Sequence, residues 1–194
     1  STYFCSNQSE RNTDLSWPME VIQSMEYIVS KDKKPQSYIY PYQKLATKSP
    51  IKKFDRLIYF ATDEKKLYYK GKPLKNADIN TISTVSGNRE FFCDKKHVYY
   101  KDEILPIKNS GQLEIVEIPQ ADYFLYDRKT GEVFNGTYRF DEKYAPYQVI
   151  GNNSGHAYSM LFAAKDGVFY YNSKTGKLDR MGDNPFKGKV KALS

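Results

Sequence analysis

Few residues in this sequence have the chemistry for acid-base or nucleophilic catalysis. The only histidines are His97 and His156, too few for a histidine-rich metal site. Asp94 lies three positions before His97 in a polar run that is typical of a surface turn. Ser154 lies two positions before His156 in an ordinary loop composition that lacks the Gly-x-Ser-x-Gly pattern of a nucleophile elbow. With no phosphate loop or dinucleotide fingerprint either, we expect no enzyme, no metal and no cofactor.

Asp94 and His97 belong to a stretch whose residue pattern predicts local structure. Residues 91–105 read as a strand, a tight polar turn and a second strand, because aromatic and aliphatic residues flank an Asp-Lys-Lys cluster. A β-hairpin with a solvated tip is therefore predicted here.

This hairpin recurs along the chain. Residues 63–70 match residues 94–101 in type except Glu64 against Lys95 and Lys66 against His97, with an offset of 31 residues. A looser third unit has its turn at 127–131, and a fourth spans 165–171. Self-similarity at this period predicts stacked supersecondary units. We expect a mainly β fold of tandem β-hairpin repeats in a continuous antiparallel sheet system, either small and propeller-like or a sandwich.

The run Asp94-Lys95-Lys96-His97-Val98-Tyr99-Tyr100-Lys101 resembles the repeat of the DKNYY family, a group of bacterial, often exported proteins. The resemblance covers roughly residues 54–172. Lys replaces the Asn of the motif at 65 and 96, and the third unit lacks the double tyrosine. The resemblance implies a class of protein and brings no catalytic residue.

Length and composition favour one globular β domain. The chain has 194 residues, with 18 Tyr, 11 Phe and one Trp, and aromatic residues suit the half-buried surface of strands. We divide it into an N-terminal arm, helix and connector at 1–53, a hairpin-repeat domain at 54–181 and a flexible tail at 182–194.

One amphipathic helix is predicted near the N-terminus, over residues 17–29. Ser16 is its N-cap and Pro18 fits its first turn. Five apolar residues follow helical spacing and would pack on the sheet: Val21, Ile22, Met25, Ile28 and Val29.

The charge is +7 and is unevenly distributed. Acids outnumber bases between 110 and 143, whereas the basic residues concentrate between 48 and 75 at Lys48, Lys52, Lys53, Arg56, Lys65, Lys66, Lys70, Lys72 and Lys75. One interpretation is a site for an acidic partner. The other is that lysines at hairpin tips and sheet edges keep the protein soluble and prevent edge-to-edge pairing.

Adjacent tyrosines in the repeats are the candidate partner-binding residues. Successive strand residues face opposite sides of a sheet, so one ring of each pair would face outward, beside lysines. The predicted partner-binding set is Tyr68, Tyr69, Lys70, Tyr99, Tyr100, Lys101, Tyr170 and Tyr171. The alternative is that a helix or a second sheet face covers these rings.

The two cysteines, Cys5 and Cys93, do not by themselves decide whether the protein is exported or cytoplasmic. The resemblance to an exported family and the absence of an initiator Met favour a periplasmic or otherwise exported protein with a Cys5–Cys93 disulfide. The alternative is a pair of buried thiols in the cytoplasm. No stretch reaches the length of a membrane-spanning segment.

These features predict a non-enzymatic interaction protein of the bacterial envelope, most concretely an immunity-type inhibitor that occludes a secreted toxin or effector. A cell-wall or glycan-binding module using exposed tyrosines is the alternative. Nucleic acid is a weaker candidate partner.

Overall fold

A computed structural model describes residues 2–4, 19–22, 27–30, 43–47, 49–57, 59–117, 123–152, 159–172 and 174–184. Across these residues the protein is mainly β, with five four-stranded sheets and one short 3-10 helix at Glu142–Tyr144. The chain forms two compact units: unit 1 contains residues 1–84 and 89–107, and unit 2 contains residues 85–88 and 108–194.

Sheet 1 comes from the N-terminal part of unit 1, where a helix was predicted. Its strands are β1 (Thr2–Phe4), β2 (Met19–Ile22), β3 (Tyr27–Ser30) and β4 (Gln43–Lys44), in the order β2-β3-β1-β4. The predicted helix over 17–29 is therefore wrong where the structure describes this segment. β2 and β3 pair antiparallel, with Val21 opposite Ile28. Residues 17, 18 and 23–26 lie outside the described residues.

The side chains of this segment explain the difference. All four stripe residues that the structure describes are Val or Ile, two in β2 and two in β3, and β-branched side chains favour the pleated strand over the helix. Two short apolar runs seven residues apart satisfy a helical stripe and a hairpin equally well, so the pattern alone did not separate them.

Sheets 2 and 3 contain the first two repeats, and their strands follow one another along the chain. Sheet 2 comprises β5 (Lys52–Lys53), β6 (Phe60–Thr62), β7 (Leu67–Tyr69) and β8 (Lys72–Pro73). Sheet 3 comprises β9 (Ser83–Thr84), β10 (Phe91–Cys93), β11 (His97–Tyr100) and β12 (Glu103–Lys108). Each predicted hairpin thus forms the two central strands of a four-stranded sheet.

Within unit 1, sheet 2 is covered on both faces. Tyr68 packs with Phe4 and Tyr27 of sheet 1, while Tyr69 packs with Phe92 of sheet 3 at a centroid distance of 5.7 Å. The Tyr27 hydroxyl adds a 2.8 Å hydrogen bond to the carbonyl of residue 59, which joins sheets 1 and 2. The apolar face that one hairpin cannot bury alone is buried by its neighbours.

Unit 2 contains the third and fourth repeats in two further sheets. Sheet 4 comprises β13 (Leu113–Glu117), β14 (Tyr123–Asp127), β15 (Val133–Asn135) and β16 (Tyr138–Arg139). Sheet 5 comprises β17 (Gln148–Asn152), β18 (Ser159–Ala164), β19 (Gly167–Asn172) and β20 (Lys177–Gly182). Their shared core contains Phe124, Phe140, Phe162 and Tyr171.

The predicted continuous sheet is therefore replaced by separate sheets, although the tandem antiparallel hairpins are confirmed. The reason is burial on both faces: strands such as β7 have every side chain buried, so neighbouring repeats within a unit pack face to face rather than extending one ladder. Of the predicted tail, residues 185–194 lie outside the described part of the chain, as do residues 31–42 of the connector.

Candidate binding site

The aspartate of each of the first three repeats is buried at the tip of the central hairpin. Asp63, Asp94 and Asp127 each occupy the last position before the tip and have at most 6% of their surface exposed. A buried carboxylate requires several hydrogen-bond donors to remain charged. The surroundings of these three side chains show how the repeat supplies them.

Asp63 receives four hydrogen bonds. Its Oδ1 accepts the backbone N–H groups of Lys65 and Lys66, and its Oδ2 accepts the hydroxyls of Thr47 at 2.8 Å and Tyr68 at 2.9 Å. Burial alone would raise the pKa of this carboxyl, but these hydrogen bonds hold the pKa below its ordinary value of 3.8. The carboxylate therefore fixes the conformation of the tip.

Asp94 repeats this arrangement with a histidine. Its Oδ1 accepts the N–H groups of Lys96 and His97, while Oδ2 accepts the N–H of Asp78 at 2.9 Å and lies 3.1 Å from Nδ1 of His97. Burial opposes ionisation here too, and the hydrogen bonds again hold the pKa below 3.8. The predicted surface pair of Asp94 and His97 is thus half buried, because the carboxylate lies inside the fold and the ring on its surface.

In three repeats, a residue from earlier in the chain donates a hydrogen bond to the tip aspartate. This hydrogen bond, called the tether below, was not predicted from the sequence. Thr47 and Asp78 each donate to the tip carboxylate 16 residues later, and Ser110 donates to Asp127 17 residues later, at 2.8 Å. Each of these residues also accepts the backbone N–H two positions further on. A small polar residue 16 or 17 positions before each turn aspartate was the available signal.

A polar pocket of about 360 Å³ lies beside the second tip. Its lining consists of Asn76, Asp78, Asn80 and tip residues 94–97. The lining contains no cluster of metal ligands, and none occurs elsewhere in the described residues. The pocket suits a hydrogen-bonding ligand held by amide, imidazole and lysine groups.

Most of the predicted partner-binding tyrosines lie in the core. Tyr68, Tyr69, Tyr99 and Tyr171 are buried, and Tyr100 and Tyr170 are half buried. The expected outward ring is therefore absent from the first pair, where neighbouring sheets cover both faces, whereas each of the other two pairs has one buried and one half-buried ring. Burial, with the charge of Glu90 nearby, raises the pKa of Tyr69 to about 12.

The register of the fourth repeat also differs from the prediction. In the hairpin β18–β19, Ala164 pairs with Gly167, so Ala164 occupies the position of the tip aspartates. Phe169 and Tyr170 then correspond to Tyr68 and Tyr69, one residue earlier than the expected pair of Tyr170 and Tyr171. The motif's Asp166 instead belongs to the two-residue tip.

The predicted lysines lie on the surface. Lys70 and Lys101 are exposed at the turns after the tyrosine pairs, in the left-handed backbone region, and Lys101 Nζ lies 3.5 Å from Glu90. In sheet 2, the exposed lysines outside that turn are Lys52 and Lys53 on edge strand β5, Lys72 on edge strand β8, and Lys65 and Lys66 at the tip. None of these five forms an ion pair with a described residue.

Other predicted groups are described only in part. Cys93 is half buried, with its sulfur 4.0 Å from the Ser83 hydroxyl, and burial raises the pKa of its thiol. Cys5, Ser154 and His156 lie outside the described residues, so the disulfide remains a prediction. Among the helices that the structure describes, none is long and apolar enough to cross a membrane.

The fold and the tips together define a class: a repeat β protein whose hairpins are fixed by buried turn carboxylates. The sequence profile of the DKNYY family matches residues 2–103, more than half of the chain. The chain belongs to the DKNYY family. This match includes the first two repeats and sheet 1, whereas the third and fourth repeats lie beyond it. No curated protein and no solved structure matches the chain.

Proposed function

We propose that this chain is a non-enzymatic interaction protein of the bacterial envelope, most concretely an immunity-type inhibitor that binds and occludes a secreted toxin or effector with an acidic surface. The observation that carries the proposal is the set of five exposed sheet 2 lysines at 52, 53, 65, 66 and 72, none of which has an ion-pair partner among the described residues. Export to the envelope is part of the proposal.

Among the described residues, ion pairs neutralise other cations in both units but none of these five lysines. In unit 2, Arg128, Arg139 and Arg180 pair with carboxylates of their own unit, at 3.7 Å from Glu114 in the first case. The lysines of sheet 2 have no such counterpart, so their field is available to a partner. Unpaired charge of one sign speeds the encounter with an oppositely charged protein.

The tips provide a rigid support for such charges. Lys65 and Lys66 donate their backbone N–H groups to Asp63, so the tip that carries them has a fixed conformation. A surface that is ordered before binding loses less conformational entropy when a partner docks. The edge positions of Lys52, Lys53 and Lys72 also suit protection against strand pairing, and the experiment below separates the two roles.

The glycan-binding alternative receives less support. Its proposed platform was a stripe with one exposed tyrosine from each pair, yet both rings of the first pair are buried and the outer rings of the other two pairs are half buried. Stacking on a sugar requires an accessible aromatic face, which the half-buried Tyr100 and Tyr170 offer only in part.

The test is a pull-down from lysate of the parent cells, with the chain purified under oxidising conditions and three baits compared. The baits are the natural chain, the variant Lys52→Glu/Lys53→Glu, and a control of equal charge change in sheet 5, Lys174→Glu/Lys177→Glu. We expect one stoichiometric protein with an acidic surface, reduced about tenfold with the sheet 2 variant and by rising salt, and unchanged with the control. Equal recovery with all three baits, recovery of cell-wall fragments, or no recovery would contradict the proposal.

A further inference from the structure

The fourth repeat lacks the buried carboxylate that fixes the other three tips. The methyl group of Ala164 stands where Asp63 and Asp94 have their carboxylates, and Ala164 is equally buried, at 4% exposure. In those repeats, the carboxylate accepts the N–H groups two and three positions further on. The corresponding residues at the fourth tip are Asp166 and Gly167.

A pocket of about 320 Å³ lies beside Ala164 at this hairpin. It is lined by Pro146, Gln148, Ala163, Ala164, Lys165 and Asn184. The buried Asn184 amide donates to the Ala164 carbonyl at 3.2 Å, which holds one wall in place. The space therefore has a defined shape on one side and the exposed ammonium of Lys165 at its rim.

The lining combines two kinds of chemistry. Pro146, Ala163 and Ala164 are apolar residues, while the side chains of Gln148 and Lys165 contain N–H donors. An anion with two oxygens fits the donors, and a short hydrocarbon stem fits the apolar wall. This is the chemistry of a carboxylate on a short aliphatic stem.

We propose that this pocket binds a carboxylate supplied by another molecule, in the position that the first three repeats fill with their own aspartate. The inference rests on the proposed function, since an acidic partner would provide an Asp or Glu side chain or a chain-terminal carboxylate. The bound group would complete the tip that Ala164 leaves open.

The test uses ¹⁵N-labelled protein at neutral pH and three small probes. N-acetyl-aspartate N-methylamide represents an acidic side chain, N-acetylalanine represents a chain terminus, and N-acetyl-asparagine N-methylamide is the neutral control. We expect saturable shifts in the millimolar range at the backbone amides of 164–167 and the side-chain amide of Gln148, for the acids alone. The tighter-binding acid identifies the source. Absence of shifts, or equal shifts with the asparagine probe, would overturn the proposal.

Two variants locate the site. Ala164→Asp supplies an internal carboxylate, so probe affinity should fall about tenfold or more while the melting temperature rises. Lys165→Gln should weaken binding about threefold, whereas Lys129→Gln at the tip of the third hairpin should leave it unchanged. Unaltered probe binding in Ala164→Asp would refute the assignment. If that variant does not fold, unaltered probe binding in Lys165→Gln would refute it instead.

Failure of this site is distinguishable from failure of the proposed function. A partner captured equally by the natural chain and by Ala164→Asp would exclude the pocket and leave the function intact. Probe binding without any captured partner would exclude the function and leave the pocket intact.

Discussion

Replacing Asp94 by Asn tests whether the buried carboxylate fixes its hairpin. The side chain keeps its size and one oxygen, which still accepts the N–H groups of Lys96 and His97. The new NH₂ group, however, faces the N–H of Asp78, which the carboxylate accepts at 2.9 Å. Two donors then oppose each other at a position with 1% exposure.

The free-energy cost of this substitution follows from the hydrogen bonds that change. Converting two charge-assisted hydrogen bonds into neutral ones costs about 1 kcal/mol each, and leaving the Asp78 N–H without an acceptor costs about 1 to 3 kcal/mol. The free energy of opening this hairpin should therefore fall by about 3 to 5 kcal/mol. Because 1.4 kcal/mol is tenfold in an equilibrium constant, exchange of the β11 amides should accelerate by about a hundredfold to several thousandfold.

Hydrogen-exchange mass spectrometry of peptides covering 91–100 measures this change directly, and Asp55→Asn is the matched control because Asp55 is exposed. Acceleration in Asp94→Asn no greater than in the control would refute the reasoning that the carboxylate holds the tip.

Further predictions follow from the same contacts. Asp63 and Asp94 have folded pKa values below the ordinary 3.8, so their stabilisation is complete above that pH and should be lost as the pH falls through the lower folded values, as circular dichroism during acid titration would show. Tyr99→Phe removes a 2.6 Å hydrogen bond to a backbone carbonyl and should cost about 1 kcal/mol in urea unfolding, whereas an unchanged midpoint would argue against that bond. Burial raises the pKa of Cys93, so its alkylation at neutral pH should be slow in the folded, reduced protein and fast in urea. In oxidised protein, the predicted bridge to Cys5 would abolish alkylation even in urea, and full labelling there would exclude it.

The repeats and their turns were predictable from the sequence because both are local. The match between 63–70 and 94–101 located two hairpins, and the charged run that begins with Asp in each copy identified their turns. The first hairpin's tether from Thr47 was not predicted, because a 16-residue separation leaves no mark in local propensity.

Burial of the tyrosines was harder to predict from the sequence, since it depends on which sheets pack against each other. Alternation along β7 correctly placed Tyr68 and Tyr69 on opposite faces, yet it carried no information that both faces are covered. The fourth repeat's register was misjudged for a related reason. Asp166 matched the motif by residue type, whereas strand pairing places Ala164 at the equivalent position.

The claim of inhibition is tested most directly by a growth assay on the captured partner. That partner is produced in the compartment where it acts, alone, with the natural chain, or with Lys52→Glu/Lys53→Glu. Inhibition by the chain predicts arrested growth for the partner alone, normal growth with the natural chain, and arrest again with the variant. A partner that is harmless alone, or one that remains toxic beside the natural chain, would contradict it.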